Sequence, residues 1–172
     1  MKLALNQAYK ALGNTGVNPA VGCVIVKNKC IIGSGYTGLN GTPHAEVNAI
    51  KSCKEDVKNS HLYTTLDPCS HFGKTPPCVN FIIRKKIKKV FFSLKDPDLR
   101  SFDQSKNIFK KNNIISANSI LLKKIKSFYR SYLKEKKCKI PYIVAKLATS
   151  KDYYTVNKKS KWITNFYSRS RV

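Results

Sequence analysis

The order of residues predicts an α/β domain, a three-layer α/β/α sandwich around a mixed central sheet of about five strands. Three observations carry this. Short β-rich runs alternate with segments of helical period along most of the chain, which calls for a sheet covered on both faces. The first two β runs are joined by a tight connection and read as a hairpin, so antiparallel pairing stands beside the crossover-linked strands that follow. The 172 residues, 42% hydrophobic and 10% aromatic, suffice for one well-buried core with little left for a second of similar size.

Leu3 to Leu12 spaces apolar residues at helical intervals and stops at Gly13, a residue suited to the left-handed position that ends a helix. After the turn-forming NTGVNP, Val21 to Lys27 and Ile31 to Thr37 make the hairpin. GLNGTP breaks the pattern, and Pro43 marks the start of a helix from His44 with Val47, Ile50 and Cys53 on one face. HLYTTL, residues 61–66, is a strand. Cys78 to Lys85 is helical, because prolines lie immediately before it and Val79, Ile82 and Ile83 recur at three and four. Lys89 to Ser93 is a buried strand. A helix from about Asp103 to Lys111, a short strand Ile114 to Ala117 and a longer basic helix from Ser119 to Leu133 complete the alternation. KEKKCK, residues 134–139, reads as a polar linker, and PYIVAKLAT, residues 141–149, as one isolated strand. Such a strand pairs with this domain, with another subunit or with nothing, since it cannot satisfy its own backbone groups. The remainder to Val172 is polar around Trp162.

The formal net charge of +24 is unevenly placed: residues 1–83 carry 8 Lys+Arg against 4 Asp+Glu, residues 84–172 carry 25 against 5, so the halves are +4 and +20. A basic half invites a nucleic-acid partner. The same region is crowded with Asn, Ile, Phe and Tyr, which phosphate binding does not require, so the charge is read as a bias toward lysine and nucleic acid is not an expected partner. Asn6, Gln7 and Lys10 interrupt the N-terminal apolar run before it reaches signal-peptide length, and no later run approaches a membrane span. The expectation is a cytoplasmic protein without a membrane partner, and in a reducing compartment a close Cys/Cys pair near His points to metal or catalysis before a disulfide.

That pair lies in LDPCSHFGKTPPC, residues 66–78, where two cysteines, a histidine, a lysine and three prolines fall within thirteen residues. A second stretch, TPHAEVNAI, sets His44 and Glu46 in the first turn of a helix. A hydrolytic zinc site wants three protein ligands and an open position for water, and one imidazole with two thiolates meets that count: His44, Cys69 and Cys78. His44 and Cys78 both fall at helix N-termini, which favour anionic groups. Prolines 68, 76 and 77 restrict the intervening loop and lower the entropy lost on gathering the ligands. Glu46 is too near His44 in sequence to share the ion easily, yet it reaches a water there; zinc lowers the pKa of that water, and the carboxylate moves a proton from it to a leaving amine. H-x-E followed by P-C-x-x-C is the arrangement of zinc deaminases, and this chain departs from it in separating the cysteines by eight residues instead of two. Taken singly, an H-x-E triplet or two nearby cysteines mean little; in this order, each at a helix start with a strand between, they mean more. Cys23, Cys30, Cys53 and Cys138 lack such company and read as small packing residues, and His61 as a surface or packing histidine. The eight residues between Cys69 and Cys78 carry His71 and Lys74, whose plain alternative is an exposed polar loop tip.

NPAVGCVIV, PHAEVNAI, TLDPCSHFGKTPPC and KDPD, in this order, resemble the deaminase domain of the bacterial bifunctional riboflavin-biosynthesis deaminase/reductase family, RibD, well over residues 1 to about 120 and weakly beyond. The resemblance implies a fold of the cytidine-deaminase type, one Zn²⁺ per chain held by His44, Cys69 and Cys78, and Glu46 as proton shuttle. It implies hydrolytic deamination of 2,5-diamino-6-(ribosylamino)-4(3H)-pyrimidinone 5'-phosphate with release of ammonia. Asn18 and His71 would contact base or ribose, with Lys74, Asp96 and Asp98 toward the ribose phosphate. A homo-oligomer is also implied.

Three departures stand out. The family has DPN where this chain has Asp96-Pro97-Asp98, and a carboxylate at 98 repels phosphate unless a cation sits beside it. LRSFDQSKN replaces a glycine-rich segment. PYIVAKLATSKDYY and SKWIT look like the opening of a reductase domain, but Lys151-Asp152-Tyr153 stands where that domain has Leu-Asp-Gly. The expected organisation is a zinc deaminase domain at 1–120 followed by a basic helix and tail at 121–172 that resembles the start of a truncated reductase domain, with no NADPH use and a separate reductase protein as partner. The alternatives are a deaminase of a nucleoside or RNA base, and a non-catalytic zinc module supporting a partner reductase.

Overall fold

The structure, a computed structural model, describes residues 1–73, 75–98, 100, 104–147 and 149–154. It divides into two compact units, Met1–Ile140 and Pro141–Val172.

In the first unit the elements run α1 (Lys2–Ala11), β1 (Gly22–Lys27), β2 (Cys30–Tyr36), α2 (Ala45–Lys51), β3 (His61–Leu66), α3 (Cys78–Arg84), β4 (Lys89–Leu94), α4 (Gln104–Lys111), β5 (Ile115–Ala117), α5 (Leu122–Phe128) and α6 (Arg130–Cys138). The sheet has the order β2-β1-β3-β4-β5. β1 pairs antiparallel with both β2 and β3, whereas β3/β4 and β4/β5 are parallel. The mixed five-stranded sheet expected from the alternation is therefore present. Asn28 and Lys29 close the hairpin with positive φ at both positions, the geometry that matches strand twist in a two-residue turn.

Small residues set the layers. A Cβ on Gly22 would lie 1.9 Å from the Ala4 carbonyl oxygen and 2.4 Å from the Ala8 nitrogen, so α1 rests directly on β1 through alanines and a glycine. On the opposite face, a Cβ on Gly35 would lie 2.3 Å from the Ala49 nitrogen of α2. Gly35 pairs with Cys23, the neighbour of Gly22, and successive strand residues face opposite sides. Tyr9 of α1 meets Phe128 of α5 edge to face at 4.8 Å, which puts those helices on one side. Contacts of α2 with α3 and of α3 with α4 group those three helices together. Leu62, Val90 and Phe92, at 0% exposure, form the middle of the sheet, each contributing roughly 1.5–3 kcal/mol by burial.

The basic segment read as one helix over 119–133 is two, α5 and α6, meeting at Tyr129 (φ −86°, ψ 10°). Helix continues through the stretch read as a linker, to Cys138, because 134–139 is mostly lysine, a good helix former. The first unit runs to Ile140, and Ile125 and Tyr129, beyond residue 120, are buried in its core. Tyr129 ties that late segment to the sheet. Its hydroxyl donates to the Ala20 carbonyl at 2.9 Å, so the 2.7 Å contact with Thr65 Oγ1 is a bond donated by the threonine, which in turn accepts from the Gly22 amide at 3.1 Å.

In the second unit the isolated strand expected at 141–149 is not formed among the described residues; Ile143, Val144 and Leu147 are exposed, and an extended segment without a paired neighbour has no ladder. A turn follows, in which Tyr154 N–H donates to Ser150 Oγ at 3.0 Å. Trp162 and the SKWIT motif lie outside the described residues. Among the described residues no helix is long and apolar enough to cross a membrane.

Tyr129→Phe leaves the Ala20 carbonyl and the Thr65 hydroxyl without their partner. The expected cost is about 1–3 kcal/mol, read as a lower urea midpoint at unchanged slope; an unchanged midpoint would show that the relay contributes nothing to stability.

Candidate metal centre and active site

Three segments converge at the carboxyl ends of β3 and β4. His44 is the N-cap of α2, Cys78 is the first residue of α3, and Cys69 lies in the loop leaving β3. The loop folds back on itself: Val79 N–H donates to the Cys69 carbonyl and the Cys78 amide to Cys69 Sγ, both at 3.2 Å. The bulge of eight residues is thereby closed at its base, which is why a wide cysteine spacing still yields adjacent sulfurs.

His44 Nδ1 lies 3.2 Å from Cys78 Sγ and 3.5 Å from Cys69 Sγ, and the three ligand atoms are all within 4.8 Å of one another. Tetrahedral zinc, with Zn–S near 2.3 Å and Zn–N near 2.0 Å, sets nitrogen–sulfur edges of about 3.5 Å and sulfur–sulfur edges of about 3.8 Å. The donor set and its spacing fit that ion, with one position left over.

The electrostatics agree. Hydrogen bonding from Cys78, and then from His44, pulls the Cys69 thiol down to about 4, outweighing its burial, so the centre holds an anionic sulfur. The Cys78 thiol is pushed up by its contact with that sulfur and by burial. His44 is raised, chiefly by its bond to Cys69. Glu46 stands beside the triangle but outside the ligand set; it is 4% exposed, and burial raises its carboxyl to about 7 against the opposing pull of His44. A carboxyl poised there exchanges a proton readily at neutral pH.

A cavity of about 250 Å³ opens onto His44, Glu46 and Cys69, and Asn18, His71 and Asp96 share its wall. Asn18 is seated by Gly41: a Cβ at that glycine, whose φ is +89°, would lie 1.9 Å from Nδ2 of the Asn18 side chain. Asp96, 8% exposed, accepts at Oδ1 from Tyr132 of α6 and from the Asp98 amide, each at 3.0 Å, and burial raises its carboxyl. Asp98 is not in the wall; both its oxygens are engaged by Arg100, which is. Lys74 lies outside the described residues. Sequence reasoning passed over Asp67, a buried wall residue that accepts from Ser105, as well as Gly41, Arg100 and Tyr132. Only Asp67, inside the cysteine motif, carried a local signal.

Residues 1–94 match the family described as the cytidine and deoxycytidylate deaminase zinc-binding region. The chain is 37% identical to the riboflavin biosynthesis protein RibD of Actinobacillus pleuropneumoniae over 174 aligned positions, covering 100% of this chain and 46% of that protein. RibD of Aquifex aeolicus is 39% identical, with 98% and 48% covered. Thus the chain spans about half the length of the curated relatives it matches. The crystal structure of a diaminohydroxyphosphoribosylaminopyrimidine deaminase/5-amino-6-(5-phosphoribosylamino)uracil reductase from Thermotoga maritima superposes with a TM-score of 0.90 at 34% identity, over 99% of this chain and 51% of that one. A dCMP deaminase of the cyanophage S-TIM5, at 20% identity and a TM-score of 0.53 over 68% of this chain and 91% of that one, shares the fold.

In metal-free protein, alkylation of Cys69 by iodoacetamide should proceed at pH 6 nearly as fast as at pH 8. A lowered pKa keeps the thiolate present above about 4, so the rate falls only as pH drops through that value. Added zinc should protect Cys69, as peptide mass spectrometry would show; a rate climbing about tenfold per pH unit up to pH 8 would mean an ordinary thiol.

Proposed function

The chain belongs to the cytidine and deoxycytidylate deaminase zinc-binding family and corresponds to the deaminase domain of RibD, and from that premise we propose that it catalyses a zinc-dependent hydrolytic deamination in riboflavin biosynthesis. The proposed substrate is 2,5-diamino-6-(ribosylamino)-4(3H)-pyrimidinone 5'-phosphate, the products the aminouracil nucleotide and ammonia. One observation carries this reading: buried Glu46 opens on the same cavity as the His44 imidazole and the Cys69 sulfur.

In this reading His44, Cys69 and Cys78 hold the zinc, which when bound acts as a Lewis acid that brings a water's pKa toward neutrality. Glu46 accepts a proton from the attacking water and returns it to the amino nitrogen that leaves as ammonia. Burial serves both transfers, because it raises the carboxyl toward neutrality and so makes it a better proton acceptor than an exposed carboxylate. Asn18 and His71, on the cavity wall, hold the base and ribose; Asp96, oriented by Tyr132, accepts a hydrogen bond from the sugar end. Lys74 is placed at the phosphate on the motif alone. The reduction named beside deamination for the Thermotoga maritima protein belongs, in this proposal, to sequence outside these 172 residues.

Ammonia release from the pyrimidine nucleotide, run beside cytidine, guanine and a tRNA anticodon stem, tests the substrate. Glu46→Gln should keep full zinc content and lower turnover roughly 10²–10⁴-fold. Turnover equal to the parent would remove Glu46 from the mechanism, and faster release from cytidine, guanine or the RNA would replace the substrate.

A further inference from the structure

Arg100 stands on the cavity wall with its side chain 66% exposed, while Glu46 and Ala45 close the interior at 4% and 0%. Its guanidinium grips Asp98 in a fork: Nε lies 2.9 and 3.2 Å from the two carboxylate oxygens and Nη2 lies 2.6 Å from Oδ2, while the Arg100 amide donates to Oδ1 at 3.0 Å. The pair forms across two residues at the surface, where such bridges add little to stability. Its effect is orientational. Asp98 consumes the Nε–H and one Nη2–H, and of the five donors of a guanidinium about three, two of them on Nη1, remain for another acceptor.

Asp98 would repel an anion if its carboxylate faced the cavity, but both oxygens are turned to Arg100, and that hydrogen bond holds its carboxyl down to about 2, keeping it ionised through the neutral range. Asp96, the neighbouring acid, is engaged at Oδ1 by Tyr132 and by the Asp98 amide. Among the described residues of the cavity wall, the exposed cation is therefore a preset arginine.

A nucleotide whose reacting amino group reaches Glu46 has its phosphate at the other end of the molecule. A dianion is the costliest part to desolvate and stays at the rim. A planar, charged fork suits phosphate oxygens better than a single ammonium. Resting on the reading of the substrate as a phosphorylated nucleotide, we infer that Arg100 receives the 5'-phosphate and that Asp98 is the positioning residue that aims it. The aspartate that seemed ill suited to a phosphate site then acts through its neighbour.

Two measurements on the zinc-loaded full chain test this. In the first, the ratio of kcat/KM for the pyrimidine nucleotide to that for its dephosphorylated nucleoside should fall roughly 10–100-fold in Arg100→Gln, as expected for loss of a charge-assisted hydrogen bond, with partial recovery in Arg100→Lys. An unchanged ratio would overturn the assignment. In the second, ribose 5-phosphate is titrated calorimetrically into parent and Arg100→Gln protein, a readout independent of deamination. Weaker binding to the variant supports Arg100 as the phosphate contact even if the pyrimidine nucleotide is not turned over, which would refute the substrate alone; equal binding refutes Arg100.

Discussion

The structure depends on one meeting point, the triangle of His44, Cys69 and Cys78, whose atoms come from two helix starts and the loop between them. Each helix must enter at the right depth for the sulfurs and the imidazole to face one another at 3.2 and 3.5 Å. Close packing sets that depth for α2. Bare backbone at Gly33 and Gly35 lets the helix lie on β2; a Cβ at Gly33 would fall 2.6 Å from the Ala49 carbonyl. The Cys78 amide then bonds Cys69 Sγ, so the same N-terminus that starts α3 also stabilises a sulfur anion.

Buried acids surround this point in a chain of net charge +24. Glu46, Asp67 and Asp96 are each under 9% exposed, and burying a charge is expensive unless it is paired or neutralised. The protein meets that cost differently at each. Glu46 has its carboxyl raised toward neutrality, Asp67 accepts from Ser105, and Asp96 accepts from Tyr132 and a backbone amide. Asp98, nearer solvent, pairs with an arginine instead. Environment, not residue type, separates the roles of four carboxylates.

The second helical layer reaches the site from behind. Tyr129 fastens α5 and α6 to β1 and β3 through Thr65 and Ala20, and one turn on Tyr132 reaches Asp96. Residues distant in sequence therefore share in shaping the cavity, although neither tyrosine belongs to a motif. Their hydroxyls are the polar handles that let large rings sit in a core.

The sequence by itself determined most of the elements, the sheet class and the candidate trio of metal donors. Alternation, a tight hairpin and helix starts at Pro43 and Pro77 are local signals, and H-x-E with two cysteines is chemistry written in short stretches. The helical span over 119–133 was legible as helix but not as two pieces, because helical period does not show that Tyr129 turns inward to a carbonyl from residue 20. Residues 134–139 looked like a linker for their charge, and 141–149 like a strand for their β-branched residues, since composition does not say which segments find partners. What tertiary structure alone decided was the setting of the side chains. Arg100 turning Asp98 from the cavity, Tyr132 holding Asp96 and the missing Cβ of Gly41 admitting Asn18 all depend on which surfaces meet in space, and nearness in space across long sequence separations has no local pattern.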